Sequence, residues 1–297
     1  MTSVLVVGSI NMDLVVTASQ FPRPGETLCG SHFATFPGGK GANQAVAAAR
    51  LGASVTMLGC VGDDSFGQNL LAGLQAENID TQWISRIPGT PTGVASITVC
   101  EAENAITVIP GANHALSVEH IAQADAAFAA TDVVLAQLET PLPTILAAAQ
   151  RARLHGKPFI LNPAPAVVLP QELLDLVSLL TPNQHELATA LDVSGDDWRA
   201  QLASLPGRVV MTLGKEGAAY ITPTGQIIEQ AGFTVRAIDT TGAGDTFNGA
   251  LAAFWRQGPA AALRLACAAG ALSVTRAGAQ SGMPTLAELT RFLEQQA

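Results

Sequence analysis

One short segment of the chain combines small residues with a carboxylate in a pattern that suits phosphate chemistry: residues 239–250, DTTGAGDTFNGA. Gly242, Ala243 and Gly244 directly precede Asp245, and an apolar run typical of a helix follows. Small residues let several backbone N–H groups point at one spot, and a helix start adds unpaired N–H groups and a partial positive charge. The segment therefore predicts an anion-binding site, most often one for phosphate.

The carboxylate of Asp245 would repel a phosphate group at rest, so it needs a chemical reason to lie there. A base that takes a proton from a hydroxyl group supplies that reason, while the N–H groups stabilise a phosphoryl group in transfer. We therefore expect phosphoryl transfer to a hydroxyl group, with Asp245 as the general base.

A second glycine-rich segment precedes another predicted helix, at residues 37–43 with the sequence PGGKGAN. Its glycines would let a ligand approach the backbone closely, with Lys40 and Asn43 as polar contacts. A plain glycine turn explains the same residues, so this segment alone is a weak indicator. It matches neither the Walker A spacing nor the Rossmann fingerprint.

Polar residues follow the ends of several predicted strands. Asn11 and Asp13 come just after the first strand, whereas Glu139 and Asn183 each follow a later one. Ligands bind at this carboxyl edge in open α/β sheets. Ordinary local structure competes with that interpretation, because Asn11 and Asp13 could form an Asx turn. Likewise, Asn183 could begin a helix through a capping box with Glu186.

A loop with two glycines follows a further strand, at residues 211–217 with the sequence MTLGKEG. It would suit the phosphates or ribose of a nucleotide, and it would equally suit a simple turn. Each of these strand-end positions is ambiguous by itself. Their shared placement at one sheet edge is what predicts a ligand site.

The elements that must position these residues alternate between strands and helices. Such alternation predicts an α/β fold with a mostly parallel sheet and helices on both faces. The predicted strands cover residues 4–7, 55–59, 133–138, 159–161, 179–181 and 209–213. The predicted helices cover residues 43–51, 66–76, 142–154, 260–275 and 286–295, and one more begins at 183.

Two segments, at about 13–36 and 81–109, depart from this alternation of strands and helices. They contain short runs in which apolar and polar residues alternate, and turns that contain proline. Such runs are typical of antiparallel hairpins. We interpret them as a small β-sheet lid over the edge of the main sheet. Ordinary edge hairpins are the alternative, and periodicity does not separate the two.

The composition limits the class of protein. The chain has 297 residues, 48% of them hydrophobic, which suffices for a large core in one or two domains. Its net charge of -9 argues against a surface for nucleic acids or anionic membranes. No apolar stretch is long enough to span a membrane, and the first residues do not resemble a signal peptide. Four scattered cysteines predict a reduced, cytoplasmic protein without cysteine-bound metal: Cys29, Cys60, Cys100 and Cys267.

Residues 38–43 and 239–245 together resemble the two signatures of the PfkB carbohydrate kinases. Further segments resemble the family members that phosphorylate D-ribose, and the likeness covers essentially the whole chain. They lie at 8–13, 24–27, 61–64, 137–141, 161–165, 181–183 and 274–280. The resemblance implies one domain over residues 1–297, a three-layer α/β/α sandwich whose β-lid closes over the sugar. It also implies a homodimer in which the lid pairs with that of a second subunit.

The resemblance implies a role for each residue of the two signatures and the strand ends. Asp245 would activate the O5 hydroxyl of D-ribose for attack on ATP, with an anion hole at Gly242, Ala243 and Gly244. The residues that would hold the ribose are Asn11, Asp13, Gly39, Lys40, Asn43, Glu139 and Asp245. Those that would contact ATP are Asn183, Thr212, Gly214, Lys215, Gly217 and Gly244.

The resemblance also implies two metal ions. Glu186 would influence Mg²⁺, and an activating K⁺ would lie near Asp239 and Thr241. Main-chain carbonyls around Ser273, Arg276 and Gly278 would complete the K⁺ site.

The chain departs from the family pattern at two positions. Gly282 stands where these kinases commonly have a serine beside the K⁺ site, with Ser281 next to it. Met12 lies between two predicted sugar ligands, where a smaller residue is usual.

Three alternative functions follow from the same residues. One is a kinase for deoxyribose, another sugar or a nucleoside; the second is a non-catalytic sugar-binding protein. A Rossmann dehydrogenase is disfavoured, because the dinucleotide fingerprint is missing.

Overall fold

The centre of the molecule is a six-stranded parallel sheet, seen in a computed structural model that describes residues 1–101, 103–194 and 197–296. Numbered in chain order, its strands have the spatial order β10-β9-β8-β1-β4-β5, and every neighbouring pair is parallel. Their bounds are β1 (Ser3–Val7), β4 (Ser54–Gly62), β5 (Asp80–Ile87), β8 (Val133–Ala136), β9 (Phe159–Leu161) and β10 (Leu179–Leu180).

Both faces of this sheet are covered by apolar side chains. Successive residues of a strand point to opposite faces, and β1 shows the result clearly. Val4 and Val6 belong to one apolar cluster, whereas Leu5 and Val7 belong to another on the opposite face. The uninterrupted apolar run of β1 is therefore the pattern of a strand buried on both sides.

Helices supply the outer two layers. On the face of Val4 and Val6 pack α1 (Lys40–Arg50), α2 (Ser65–Ala76), α9 (Ala243–Ala253), α10 (Pro259–Ser273) and α12 (Leu286–Gln295). On the opposite face pack α3 (Val118–Gln123), α4 (Asp125–Ala130), α5 (Leu142–Leu154), α6 (Gln171–Leu176), α7 (Gln184–Ala190) and α8 (Trp198–Ala203). The short α11 (Ala279–Gly282) precedes α12. This is the expected three-layer α/β/α sandwich.

A smaller antiparallel sheet continues the central one beyond β10. It consists of β11 (Val210–Thr212), β12 (Gly217–Ile221) and β13 (Ile227–Ala231). Two isolated parallel bridges join it to the central sheet, Leu180 to Val209 and Asn183 to Thr212. The loop that carries the predicted nucleotide residues therefore lies beside the end of β10.

A separate four-stranded sheet has the order β3-β2-β6-β7 and is formed by the lid segments. Its strands are β2 (Asn11–Thr17), β3 (His32–Gly38), β6 (Gly93–Cys100) and β7 (Glu103–Ile109). The two hairpins are antiparallel, but β2 and β6 pair in parallel and so join the hairpins into one sheet.

The predicted boundary of the second lid segment is wrong at its start. Residues 81–87 belong to β5, which pairs with β4 at the edge of the central sheet, and the lid resumes only at Gly93. The cause is physical: an edge strand that is half buried alternates in the same way as a lid strand, so residue spacing did not separate them.

All four cysteines are free thiols, and three of them are buried: Cys60, Cys100 and Cys267. Their state agrees with the absence of a disulfide framework in the sequence, and a cytoplasmic location stays a prediction. Within the described ranges, none of the helices has both the length and the apolar character that crossing a bilayer requires.

Candidate active site

Asp245 lies in the first turn of α9, and its side chain is 8% exposed. Gly242 precedes the helix with a left-handed φ of 76°, where an added Cβ would lie 2.9 Å from the Ala279 Cβ. Among the described residues, no oxygen accepts a hydrogen bond from the backbone N–H of Gly244 or Asp245. The helix start therefore presents unpaired donors beside a carboxylate, as an anion hole requires.

Both oxygens of the Asp245 carboxylate accept hydrogen bonds from α1. Asn43 Nδ2 donates to Oδ2 at 2.9 Å, and Gln44 Nε2 donates to Oδ1 at 3.0 Å. The two helices approach closely because Gly249 on α9 lies against Ala47, where even a Cβ would be 2.6 Å from the Ala47 Cβ. Helix packing thus brings the two glycine-rich segments of the sequence together.

The predicted sugar ligands gather on one side of Asp245. Glu139 Oε2 accepts hydrogen bonds from Ser9 Oγ at 2.5 Å and from the backbone N–H of Lys40 at 3.1 Å. Asn11 lies at the start of β2, and its Oδ1 accepts from Asn113 Nδ2 at 2.7 Å. The chain is too crowded there for a side chain at position 39: a Cβ would lie 2.7 Å from the Asn11 nitrogen, and φ is 86°.

Asp13, on β2, belongs to the same cluster, and its surroundings raise its pKa to about 6. Burial is the largest cause, followed by the negative charges of Glu139 and Asp245. Burial likewise raises the pKa of Asp245, although Lys40, Asn43 and Gln44 oppose the change. Three carboxylates therefore share this small region of the sheet edge.

Lys40 supplies the positive charge that faces these carboxylates. Burial by itself lowers the pKa of Lys40, but the charges of Asp245, Glu139 and Glu186 outweigh burial and raise it. The ammonium group is therefore fully charged at neutral pH. It stabilises an acidic cluster that would otherwise repel itself and any phosphate group nearby.

A cavity of about 640 Å³ lies on the other side of Asp245. Five predicted nucleotide residues line it: Thr212, Gly214, Lys215, Gly217 and Gly244. Much of its remaining wall is apolar, including Phe233, Val235, Phe247, Cys267 and Val274. A cavity that combines an apolar wall with glycine backbone near a helix start fits a nucleotide.

Asn183 is outside the lining of this cavity, and it serves as the N-cap of α7. Its Oδ1 accepts from the Glu186 backbone N–H at 2.8 Å, and Glu186 Oε2 accepts from the Asn183 N–H at 2.8 Å. The capping box left open by the sequence is therefore present. Burial raises the pKa of Glu186, which Lys40 partly offsets.

The predicted K⁺ residues form a compact loop cluster next to the start of α9. The carboxylate of Asp239 accepts from the Thr241 N–H at 2.9 Å and from the Gly278 N–H at 2.8 Å. Position 282 is pressed against main-chain carbonyls, because a Cβ there would lie 2.4 Å from the Ser273 oxygen and 3.6 Å from the Arg276 oxygen. Carbonyl oxygens beside a carboxylate are a donor set that suits a K⁺ ion.

The residues suited to a divalent ion are sparser. In the described ranges, no three His, Cys, Asp or Glu side chains are grouped so that they could hold a metal ion. Mg²⁺ is typically bound by one or two carboxylates together with substrate phosphates. Glu186 fits that arrangement as a protein group that acts on an ion carried by ATP.

Met12 does not line the sugar cluster. Its side chain is 6% exposed and belongs to the apolar core beneath the lid. The departure from the family pattern at this position therefore lies in the core.

Several side chains that bond to the predicted site residues or to one another were missed from the sequence, and most are buried amides. They are Gln44, Asn113, Gln137, Asn162 and Gln280, together with Ser9. For Gln44 a signal existed: the residues that follow it in α1, at 45–49, are all alanine or valine and predict a buried helix, so a polar side chain beside them needs a hydrogen-bond partner.

A buried carboxylate, unpaired backbone N–H groups beside it and a cavity of about 640 Å³ are features that suit a phosphotransferase for a small hydroxylic substrate. The family model described as "pfkB family carbohydrate kinase" matches residues 1–286. The chain belongs to this family, and it is an ATP-dependent carbohydrate kinase.

Individual relatives agree with this assignment. A ribokinase of Bacillus subtilis (strain 168) is 43% identical, with 99% of this chain and 100% of that protein covered. A deoxyribokinase of Salmonella typhimurium is 36% identical over 98% of each. The structure titled as an Arabidopsis thaliana ribokinase complexed with ribose and ATP has a TM-score of 0.91 at 30% identity, with 99% of each chain covered.

Proposed function

We propose that the protein transfers the γ-phosphoryl group of ATP to the O5 hydroxyl of D-ribose, giving ribose 5-phosphate. One observation carries the proposal: Asp245 lies beside Asp13 and Glu139 and directly follows Gly244, which lines the cavity. The similarity to ribokinases supports ribose as the sugar.

The reaction would need little covalent chemistry from the protein. Asp245 accepts the proton of the O5 hydroxyl as that oxygen attacks the γ-phosphorus, and ADP leaves on the cavity side. Of the predicted anion hole at Gly242, Ala243 and Gly244, the Ala243 N–H already donates to the Thr240 carbonyl at 3.2 Å. The N–H groups of Gly242 and Gly244, with that of Asp245, stabilise the charge of the moving phosphoryl group, and Lys40 contributes a positive charge. Glu139 and Asp13 accept hydrogen bonds from sugar hydroxyls and so fix the orientation of the substrate.

The decisive experiment replaces Asp245 with asparagine and measures ADP release in the presence of D-ribose. The substitution preserves shape but removes the base, so we expect kcat to fall by about 100-fold or more while the protein still folds. Near-normal turnover by Asp245→Asn would falsify the assignment of the base. Circular dichroism and the melting temperature serve as the folding control.

A second candidate substrate is deoxyribose, which the similarity to a deoxyribokinase favours. The many polar groups at the sugar side favour a ligand rich in hydroxyls over one that carries a nucleobase. A panel of ribose, deoxyribose, other sugars and nucleosides, compared by kcat/KM, separates these substrates. A higher kcat/KM with deoxyribose than with ribose would reassign the substrate, and no ADP release with any of them would favour a non-catalytic protein.

We further propose that Mg²⁺ accompanies ATP and that K⁺ activates the enzyme from the loop cluster of Asp239. Asp239→Ala removes the charge that faces the carbonyls and the acceptor that holds the Thr241 and Gly278 N–H groups. We expect it to reduce the stimulation of kcat by K⁺ relative to Na⁺. An unchanged response to the two salts would place the activating ion elsewhere.

The lid is the surface through which we propose a homodimer. Six large apolar side chains of the lid are exposed: Val16, Phe33, Phe36, Ile106, Val108 and Ile109. Exposed apolar patches of this kind commonly mark protein interfaces. Light scattering on the wild type and on Phe33→Asp tests it: the expected result is a dimer that dissociates in the variant, and a wild-type monomer at micromolar concentration contradicts it.

A further inference from the structure

Behind the Asp245 carboxylate lies a chain of buried amides. Gln44 and Gln137 are both 0% exposed, and Asn162 is 6% exposed. Gln44 Nε2 donates to Asp245 Oδ1 at 3.0 Å and to Asn162 Oδ1 at 3.1 Å, while its Oε1 accepts from Gln137 Nε2 at 2.7 Å. Both protons of the Gln44 amide and one lone pair are therefore committed.

The direction of this chain is fixed by its outer members. Asn162 Nδ2 donates to the Thr181 carbonyl at 3.1 Å, which leaves Asn162 Oδ1 as the acceptor that faces Gln44. A flipped Gln44 amide would turn its oxygen towards two acceptor oxygens and its nitrogen towards a donor. The nitrogen of Gln44 is thus held against the carboxylate.

This arrangement leaves one polar atom of Gln137 without a hydrogen bond among the described residues. That atom is Oε1, which is buried and lies against Gly8, where an added Cβ would overlap it. Unpaired buried acceptors are rare, and each one destabilises the folded state. A network kept at this cost is a sign of a role beyond packing.

We propose that Gln44 is a positioning residue that holds the Asp245 carboxylate in the orientation needed to accept the sugar proton. The inference rests on the proposed role of Asp245 as the base. Asn43, which bonds the other carboxylate oxygen, faces the sugar and is itself held by Gln280 at 3.1 Å. Gln44 has no exposed surface and therefore acts on the substrate only through Asp245.

The pH dependence of kcat distinguishes a positioning role from a purely structural one, because a purely structural role would leave it unchanged. Asp245 must be ionised to accept a proton, so kcat rises with pH through its pKa. A hydrogen-bond donor to the ionised carboxylate lowers the pKa of Asp245. When the donor is lost, the acid limb, which is the part of the pH profile where kcat rises with pH, moves to higher pH. The other charged groups that face Asp245 are Lys40, Glu139, Asp13 and Glu186, and none of them changes in the experiment.

The experiment compares Gln44→Met with Gln137→Met as the matched control. Gln44→Met keeps the length of the side chain but removes the donor, so kcat should fall by about 10- to 100-fold. The KM for ribose should change by less than about threefold, and the acid limb of kcat should rise by about one pH unit. Gln137→Met leaves both donors to Asp245, so its acid limb should match that of the wild type.

Two outcomes would overturn the inference. In the first, Gln44→Met has the same kcat and the same acid limb as the wild type. In the second, Gln44→Met and Gln137→Met lose the same amount of kcat and neither shows a shifted acid limb. If Gln44→Met does not fold, Gln44→Glu has the same shape and replaces the donor with a carboxylate. Its acid limb should move to higher pH, and an unmoved limb contradicts the proposal. Asp245→Asn is measured alongside, because retained activity there overturns the proposed base itself.

Discussion

The two sides of Asp245 are built in different ways. On the sugar side, side chains hold one another: Ser9 bonds Glu139, and Asn113 bonds Asn11. On the nucleotide side, the cavity is lined by glycine backbone and apolar side chains, and Lys215 is exposed. A rigid array of donors and acceptors discriminates between sugars, whereas a backbone site with an apolar wall accepts a phosphate chain and a flat ring.

This difference predicts that the two sides respond differently to substitution. Side-chain changes on the sugar side should alter kcat and the KM for the sugar but not that for ATP. On the nucleotide side, the sensitive positions should be glycines, because an added Cβ there intrudes where the backbone must meet the phosphates.

Lys40→Met should have the largest effect. It removes the one positive charge that we place among Asp13, Glu139 and Asp245, so the carboxylates repel one another and the incoming phosphate. We expect kcat/KM for ribose to fall by about 100-fold or more, with the KM for ATP changed only a few fold. Initial rates over a grid of both substrates measure the two constants. A loss confined to ATP binding would contradict the assignment of Lys40 to the sugar side.

Gly244→Ala should have the next largest effect, on the nucleotide side. A Cβ at this position meets no atom within 4 Å, so the protein should fold with its stability unchanged or raised by up to about 1 kcal/mol. The added methyl group nevertheless faces the cavity, and kcat/KM for ATP should fall by about 30-fold, since about 2 kcal/mol of phosphate contact is lost. Urea unfolding checks the expected stability, and steady-state kinetics check the expected loss of kcat/KM for ATP. Full activity would show that the phosphates lie elsewhere.

Asn113→Ala should have a moderate effect that is specific to the sugar. Asn113 Nδ2 donates to Asn11 Oδ1, and Asn113 Oδ1 accepts from the neighbouring Ile10 N–H at 2.8 Å, so the substitution removes the contacts that fix the Asn11 amide and the backbone beside it. We expect the KM for ribose to rise by about tenfold, the value of one hydrogen bond, and the KM for ATP to stay constant. A comparable rise in both constants would indicate a general loss of structure instead.

The smallest effect that we expect is one on stability, and it comes from Asp13→Asn. This is apart from the higher KM for ribose that follows from the loss of a proposed sugar ligand. The folded-state pKa of about 6 exceeds the ordinary 3.8, so ionised Asp13 destabilises the folded protein above pH 6, and this penalty disappears as the pH falls towards 3.8. The variant should be more stable than the wild type at pH 7, by on the order of 1 kcal/mol after solvent screening. Urea unfolding at pH 7 and pH 4.5 should show the difference shrinking. A difference independent of pH would contradict the raised pKa.

The same contrast explains what the sequence revealed. Strand ends and glycine-rich turns are visible as patterns, so Glu139 and the 211–217 loop could be identified before the fold was known. The helices at 142–154 and 286–295 were predicted with the observed bounds; the first has a proline in its first turn, and the second begins at a capping box of Thr285 and Glu288.

The amide network could not be predicted in the same way. Glutamine and asparagine occur both on surfaces and in cores, and the contacts of Gln44 with Gln137 and Asn162 span 93 and 118 residues. The lid boundary failed for a related reason, since the partner of residues 81–87 is set by tertiary structure. Local patterns locate the positions that meet a ligand, but they do not show which side chains hold those positions.

The pairing of β2 with both β3 and β6 has a thermodynamic consequence. Asn11 and Asp13 belong to a lid strand, whereas Glu139 and Asp245 belong to the α/β/α sandwich. A sugar that bonds to both pairs of residues would therefore hold the lid against the sandwich. Sugar affinity and lid position are then linked, and linkage is reciprocal. If sugar binding changes the affinity of the lid for a second molecule, then that molecule changes the affinity for the sugar by the same factor.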